Sequence, residues 1–347
     1  MIGAQILVGY LENLFENYIN TPLNTALETY VPNYWIRELI GGQFGIITLG
    51  VRYAFAIILP IVTIFFFLFS LVEDSGYLPR LAILLDRLFK VVGLSGKAVI
   101  PLVLGLGCGT MATIVTRVLE TRKEKIIATL MLAIGIPCSA QLGVIFSIAP
   151  DYRAMLIWVS VITSVLLLAG YLASKAIKEP GSVFLIEIPS LRVPEIGNVV
   201  TKTFTRLEWY FKEVIPVFLI ASVFIWLGRL SGVFNLLISL ISVPSRFIGL
   251  PEEAAVIFLF GFFRRDYGAA SLFDLANRGI LSVPQMIVSM VTLTLFVPCI
   301  AQFLVMIKER GIKVAMLIFI LSVIVAFGVG YLTSIGLNLT GLSEWSK

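Results

Sequence analysis

Histidine is absent from all 347 residues. Its absence removes the imidazole sites on which most zinc and non-haem iron proteins rely, any histidine proton relay, and any catalytic triad with an imidazole base. Charge is scarce too: Asp, Glu, Lys and Arg make up 14% of the chain against 59% hydrophobic residues, and the mean hydropathy is +0.99. Soluble domains carry about 25% charge, so an aqueous globule is excluded and an integral membrane protein is expected. Cysteine occurs only three times; an odd, small number shielded in a bilayer argues against a disulfide framework. The net charge of +5 comes without a soluble basic face, so no nucleic-acid partner is expected. The partner in contact everywhere is the lipid bilayer.

Uncharged stretches run 53–72, 98–116, 126–150, 154–174, 214–228, 254–263, 279–307 and 314–343. A spanning helix needs about 20 apolar residues. Most stretches qualify, but 254–263 cannot cross alone and reads as re-entrant or half a helix. The stretches are continuous rather than alternating, which excludes a β-barrel. Residues 1–50, rich in Asn, Glu, Tyr and Trp, read as an amphipathic lead-in at the outer surface, with no basic n-region and hence no cleavable signal expected.

The chain repeats itself. IPCSAQ at 136–141 returns as VPCIAQ at 297–302, 161 positions later, and upstream the offset is 156: Pro60 answers Pro216, Ser75-Gly76 answers Ser231-Gly232, Gly93-Leu94 answers Gly249-Leu250 and Gly105 answers Gly261. Repeats with interrupted hydrophobic segments are a common transporter architecture. The expected division is the lead-in 1–50, a first repeat 51–178, a polar connector 179–206 and a second repeat 207–343. With three crossings and one re-entrant element per repeat, at about 98–116 and 254–263, the second repeat is inverted. Seventeen of the 26 Lys and Arg then share one side with 117–125 and 308–313, and that side is expected to be cytoplasmic.

Each repeat places Pro-Cys inside an uncharged run, where proline removes a backbone donor and opens the helical ladder. Cys108 in GLGCGTMAT, Cys138 in IPCSAQ and Cys299 in VPCIAQ all sit beside helix-breaking Gly or Pro. A buried hydrophobe is the plain reading of a single cysteine, but the shared placement makes them candidate metal ligands, with Gln141, Gln302, Ser139, Thr110 and Met111 as supporting donors. Sulfur with oxygen suits a soft or borderline cation, and this chemistry does not choose among Cu(I), Zn²⁺ and Fe²⁺. In FFRRDYGAA at 262–270, Arg264 aligns with Cys108, and an Arg-Arg-Asp run beside a bilayer is costly unless paired or wet. Arg264 and Asp266 are therefore candidate gate residues, the alternative being an interfacial anchor. Glu73 and Asp74 close the first long span, as a cation gate or as the membrane edge. GLSGK at 93–97 mimics a phosphate loop, but Val91 and Ala98 replace the required Gly and Ser/Thr. No nucleotide site, no permanently bound cofactor and no enzyme activity are expected.

EDSGYLPR at 73–80, GLGC at 105–108, ATIVTR at 112–117, IPCSAQLGV at 136–144, FFRRDYGAA at 262–270 and LFVPCIAQF at 295–303 together closely resemble the membrane domain of the ferrous iron transport protein B family, over about residues 1–340. The resemblance implies an all-α polytopic membrane protein of two gate-type halves, inverted repeats with spanning helices and a re-entrant or broken helix each. It further implies an importer of ferrous iron (Fe²⁺) in a prokaryotic inner membrane, with Cys108, Cys138 and Cys299 handling the ion. Family members begin with a GTPase domain and a first transmembrane helix that this sequence does not show. It therefore reads either as part of a longer chain or as a core working with a separate GTPase, and self-association is a further partnership to expect. Gly109 stands where the family pattern leads one to expect Asp or Asn, which puts an oxygen ligand beside Cys108 in question. Gate-type halves in nucleoside carriers and spore-maturation proteins supply the alternatives of an organic-solute carrier and of a membrane assembly protein without transport.

Overall fold

Gly93 and Gly249, the residues that match at an offset of 156, both adopt a φ near +80° (78° and 80°), a turn that a side chain would strain. Gly76 and Gly232 match in the same way, at 76° and 70°. A computed structural model of the chain describes residues 59–177, 193–209, 232–296 and 298–339, with isolated positions between 211 and 228. The lead-in at 1–50 lies outside the described residues. All regular structure among the described residues is helical.

By contacts the chain falls into two compact units, residues 1–77 with 189–234, and residues 78–188 with 235–347. In the first unit α1 (Leu59–Asp74) packs against a helix that begins inside the polar connector and will be called α8 (Ile196–Trp209). Asp74 is buried, accepts the Glu195 N–H at 2.9 Å and meets Lys202 Nζ at 3.2 Å. Arg206 binds Ser70 Oγ at 2.8 Å, pairs with Glu73 and stacks over Phe69.

The second unit holds each repeat from residues 78 and 235 onward. Its first copy runs α2 (Tyr77–Val91), a 3-10 turn, α3 (Val99–Gly105), α4 (Gly109–Val115), α5 (Arg122–Ile134), α6 (Ser139–Ile148) and α7 (Tyr152–Ala176). Its second runs α9 (Val233–Phe247, in this unit from Asn235), α10 (Ala254–Phe263), α11 (Arg265–Asn277), α12 (Val283–Leu295), α13 (Ile300–Arg310) and α14 (Ile312–Leu339). The copies even share their caps: Thr121 with Glu124 at the start of α5, and Ser282 with Gln285 at the start of α12, each close a capping box that satisfies free first-turn donors.

Among the described residues, three segments are long and apolar enough to span a membrane: α7, Val283–Arg310 taken across the Pro-Cys break, and α14; α2 with Gly96–Gly105 makes a fourth, bent by 109°. The stretch at 254–263 becomes the ten-residue α10, too short to cross. Over an apolar 18-residue stretch of each, 76% of Val283–Arg310 is buried within the protein, against 17% for α7 and 22% for α14. Leu156, Leu168, Leu172, Leu317, Ile324 and Leu332 stand outward on those two helices, as hydrocarbon solvent requires. The core between them gathers Ile134, Trp158, Ile257, Phe258, Met290 and Val291. Phe258, Phe296 and Phe327 contact one another with centroids 5.2–5.7 Å apart, in the tilted and edge-on geometries that aromatic quadrupoles favour.

The two broken helices run in opposite senses. The 3-10 turn Thr116–Val118 before α5 meets the end of α13, where Arg117 Nε donates to Glu309 at 3.0 Å and Arg310 binds Thr116 and, within α5 at 3.3 Å, Thr129. Further along, Gln141 at the start of α6 donates to the Leu293 carbonyl at the end of α12, at 3.3 Å. Corresponding segments therefore point opposite ways. Cysteines introduced at Lys123 and Lys308 should label from one face of sealed vesicles and one at Arg278, the counterpart of Arg117, from the other. Labelling of 123 and 308 from opposite faces would sink the inverted arrangement.

Candidate functional site

A residue before proline is pushed out of the helical region, and proline itself cannot donate to the preceding turn. Accordingly α5 stops at Ile134 before Pro137, α12 stops at Leu295 before Pro298, and each helix restarts just after its cysteine. Cys138 (φ −79°, ψ 166°) and Cys299 (φ −61°, ψ 157°) are the extended residues that begin α6 and α13. Cys108 (φ −147°, ψ 114°) begins α4 in the same way, and its counterpart Arg264 (φ −153°, ψ 123°) begins α11. All three thiols thus sit at half-helix starts, and all three are partly buried free cysteines.

The breaks assemble around the GLGC turn. Ser139 donates its N–H and its hydroxyl to the Gly107 carbonyl at 3.3 and 3.2 Å, docking the first Pro-Cys break beside Cys108. Thr110 Oγ1 lies 3.9 Å from Cys299 Sγ. The Cys108 sulfur faces the N–H groups of Thr110 and Met111 and the Thr110 hydroxyl, with Cys299 near enough to interact electrostatically. Met111 is buried in α4. Gln141 and Gln302, each one turn after its cysteine, are buried. Gln141 accepts the Cys138 N–H at 3.4 Å as well as reaching Leu293, and Gln302 Nε2 donates to Thr113 Oγ1 at 3.5 Å. Among the described residues, no three His, Cys, Asp or Glu side chains converge as a metal cage. What converges is Cys108 and Cys299 through Thr110, with Cys138 held close by in sequence through Ser139.

The gate candidates separate. Arg264 stacks over its own Tyr267 at 4.9 Å, and the side chain of Asp266 lies outside the described residues. Glu73 and Asp74 belong to the other unit, engaged with α8. The residue that sequence reading passed over is Arg265, 5% exposed, which donates to the carbonyls of Ile136 at 3.0 Å and Ala133 at 2.9 Å. It caps the end of α5, whose last carbonyls have no intrahelical donor and carry the negative end of the helix dipole. A second-repeat cation thereby shapes the first-repeat break. A clue was present in the tandem arginines: the cost of burying the pair demands partners for both.

Comparison with known proteins agrees with this architecture. The Gate family model, described as "Nucleoside recognition", matches residues 55–151 and 211–313, and the model "Ferrous iron transport protein B C terminus" matches residues 155–206. The Fe(2+) transporter FeoB of Staphylococcus aureus is 26% identical over 356 residues, covering 89% of this chain and 53% of the relative. That of Methanocaldococcus jannaschii is 26% identical over 390 residues, covering 97% and 57%. A Fe(2+) transport protein A/Fe(2+) transporter FeoB fusion protein of Porphyromonas gingivalis is 29% identical over 216 residues, covering 59% and 24%. No solved structure matches. The chain spans about half the length of the full-coverage relatives. A multi-pass helical protein with a doubled, interrupted gate fold, the chain belongs to the Gate family, and it is similar to the membrane domain of the ferrous iron transport protein B family.

Proposed function

We propose that this chain is the membrane core of an Fe²⁺ importer in a prokaryotic inner membrane, passing the ion through a cysteine-lined site where the broken helices of the two repeats meet. The observation that carries this reading is the meeting of Cys108 and Cys299, one from each repeat, through Thr110. Two thiolates balance a divalent charge, and the absence of a third convergent acid or thiol among the described residues suits a site that must also release its ion. Cys138, docked through Ser139, extends the path. The relatives named as Fe(2+) transporters support the choice of ion, which donor softness alone does not make. Glu73, Asp74, Arg264 and Asp266 serve as gates in this reading. Its partners in this reading are a cytoplasmic GTPase domain or protein and further copies of the chain.

Uptake of radioactive iron by cells or proteoliposomes tests the proposal. Cys138→Ser and Cys299→Ser should each reduce uptake by about tenfold or more, the effect ascribed to loss of a metal-site contact, while insertion and folding are retained. Full uptake by the triple cysteine-to-serine variant would overturn the metal role. The Gate model's description and the two buried carboxamides of Gln141 and Gln302 favour a nucleoside-like solute as the second reading; transport of nucleoside by that triple variant would select it.

A further inference from the structure

Gly109 follows Cys108 directly, and a Cβ built on it would meet the carboxamide of Gln302, with Oε1 at 2.7 Å, Cδ at 3.0 Å and Nε2 at 3.1 Å. The missing side chain is therefore the space that Gln302 fills. The orientation of that carboxamide follows from its neighbours. The Thr113 hydroxyl donates to the Gly109 carbonyl at 2.8 Å, so its oxygen is left to accept Gln302 Nε2 at 3.5 Å. This turns Oε1 the other way, and Oε1 is buried with no hydrogen-bond partner, in a residue with no exposed surface. A buried amide oxygen without a donor is costly, and native structures keep few of them. Here it lies between the chain that carries Cys108 and the helix that begins at Cys299.

We propose that Gln302 Oε1 is a ligand of the permeating divalent cation, completing a set with Cys108 and Cys299, and that Gly109 is the vacancy this oxygen uses. The proposal rests on the iron-pathway reading and assigns the oxygen donor within it. Two thiolates already neutralise a divalent ion; a neutral amide oxygen raises the coordination number without adding charge, so the site stays weak enough to release. It also separates metals. Fe²⁺ and Co²⁺ take mixed sulfur and oxygen ligands, whereas Cu(I) is satisfied by sulfur. Gln302 therefore matters for the former and not for the latter.

The test uses the full chain in nanodiscs under anaerobic conditions, titrated with Co²⁺, whose sulfur-to-metal charge-transfer absorption reports thiolate ligation separately from affinity. Gln302→Leu should weaken Co²⁺ binding by about tenfold or more, keep the sulfur band, and leave Cu(I) binding unchanged. Gly109→Ala should do the same, because the added methyl displaces only the far end of a flexible side chain. If Gln302→Leu does not fold, Gly109→Ala carries the test. Gly109→Asn combined with Gln302→Ala should recover most of the affinity by bringing an amide oxygen into the same space from the first repeat. Unchanged Co²⁺ affinity in both single variants, with the sulfur band still abolished by Cys108→Ser, would remove the oxygen ligand and leave the cysteine pathway standing. Absence of a sulfur band in the unsubstituted protein would overturn both.

Discussion

Arg265→Met should lower the unfolding free energy by about 3 kcal/mol or more, since each hydrogen bond from a charged donor is worth about 1.5–3 kcal/mol. The guanidinium is 5% exposed and spans the carbonyls of Ala133 and Ile136. Removing it strands two buried acceptors at the helix end beside Cys138. Arg265→Lys should recover only part of the loss, because one ammonium cannot reproduce the planar fork. Thermal unfolding in detergent, read alongside iron uptake, checks both variants. An unchanged transition in Arg265→Met would show that the end of α5 does not depend on this clamp.

Gly268→Leu should abolish the folded protein, and Gly268→Ala should already destabilise it by about 3 kcal/mol, at the upper end for overpacking. A Cβ there would lie 2.6 Å from Gly261 Cα, 2.7 Å from the Ile257 carbonyl oxygen and 2.9 Å from Gly261 N. All three are backbone atoms of α10, so no rotamer change relieves them, and α11 must move off α10 as a body. Gly328 and Gly336 in α14 provide the controls. A Cβ meets nothing within 4 Å at either, and alanine there should stabilise by roughly 0.5–1 kcal/mol through helix propensity. Equal folded yields for Gly268→Leu and Gly328→Ala in fluorescence-detected size exclusion would rule out the close approach.

What was legible in the sequence acts over short distances. Pro137 and Pro298 break their helices through their own missing donors, and the ten-residue limit of α10 follows from the charges that flank 254–263. The repeat offset gave Arg264 the backbone role of Cys108, and the φ and ψ values agree. It did not indicate what each arginine meets, since both are buried, Arg264 beside Tyr267 and Arg265 at the end of α5. Arg265 reaches a partner 132 residues earlier, a pairing that no local pattern encodes. Gly109 read as a lost oxygen; that it makes room for one from Gln302 depends on a contact across 193 positions. The connector at 179–206 looked like polar linker because the charges of α8 are not visibly paired in sequence, although Lys202 and Arg206 find Asp74 and Glu73.

Broken transmembrane helices often hold sodium or other hard ions with the carbonyls their breaks expose. In this chain the exposed carbonyls of Ala133 and Ile136 are taken by Arg265 and that of Leu293 by Gln141. Sodium, potassium and magnesium, which need several oxygens at once, are thus denied those ligands, while sulfur stays accessible at Cys108, Cys138 and Cys299. In the proposed iron pathway, discrimination against the abundant ions of the cell would rest on oxygens withheld as much as on thiols offered.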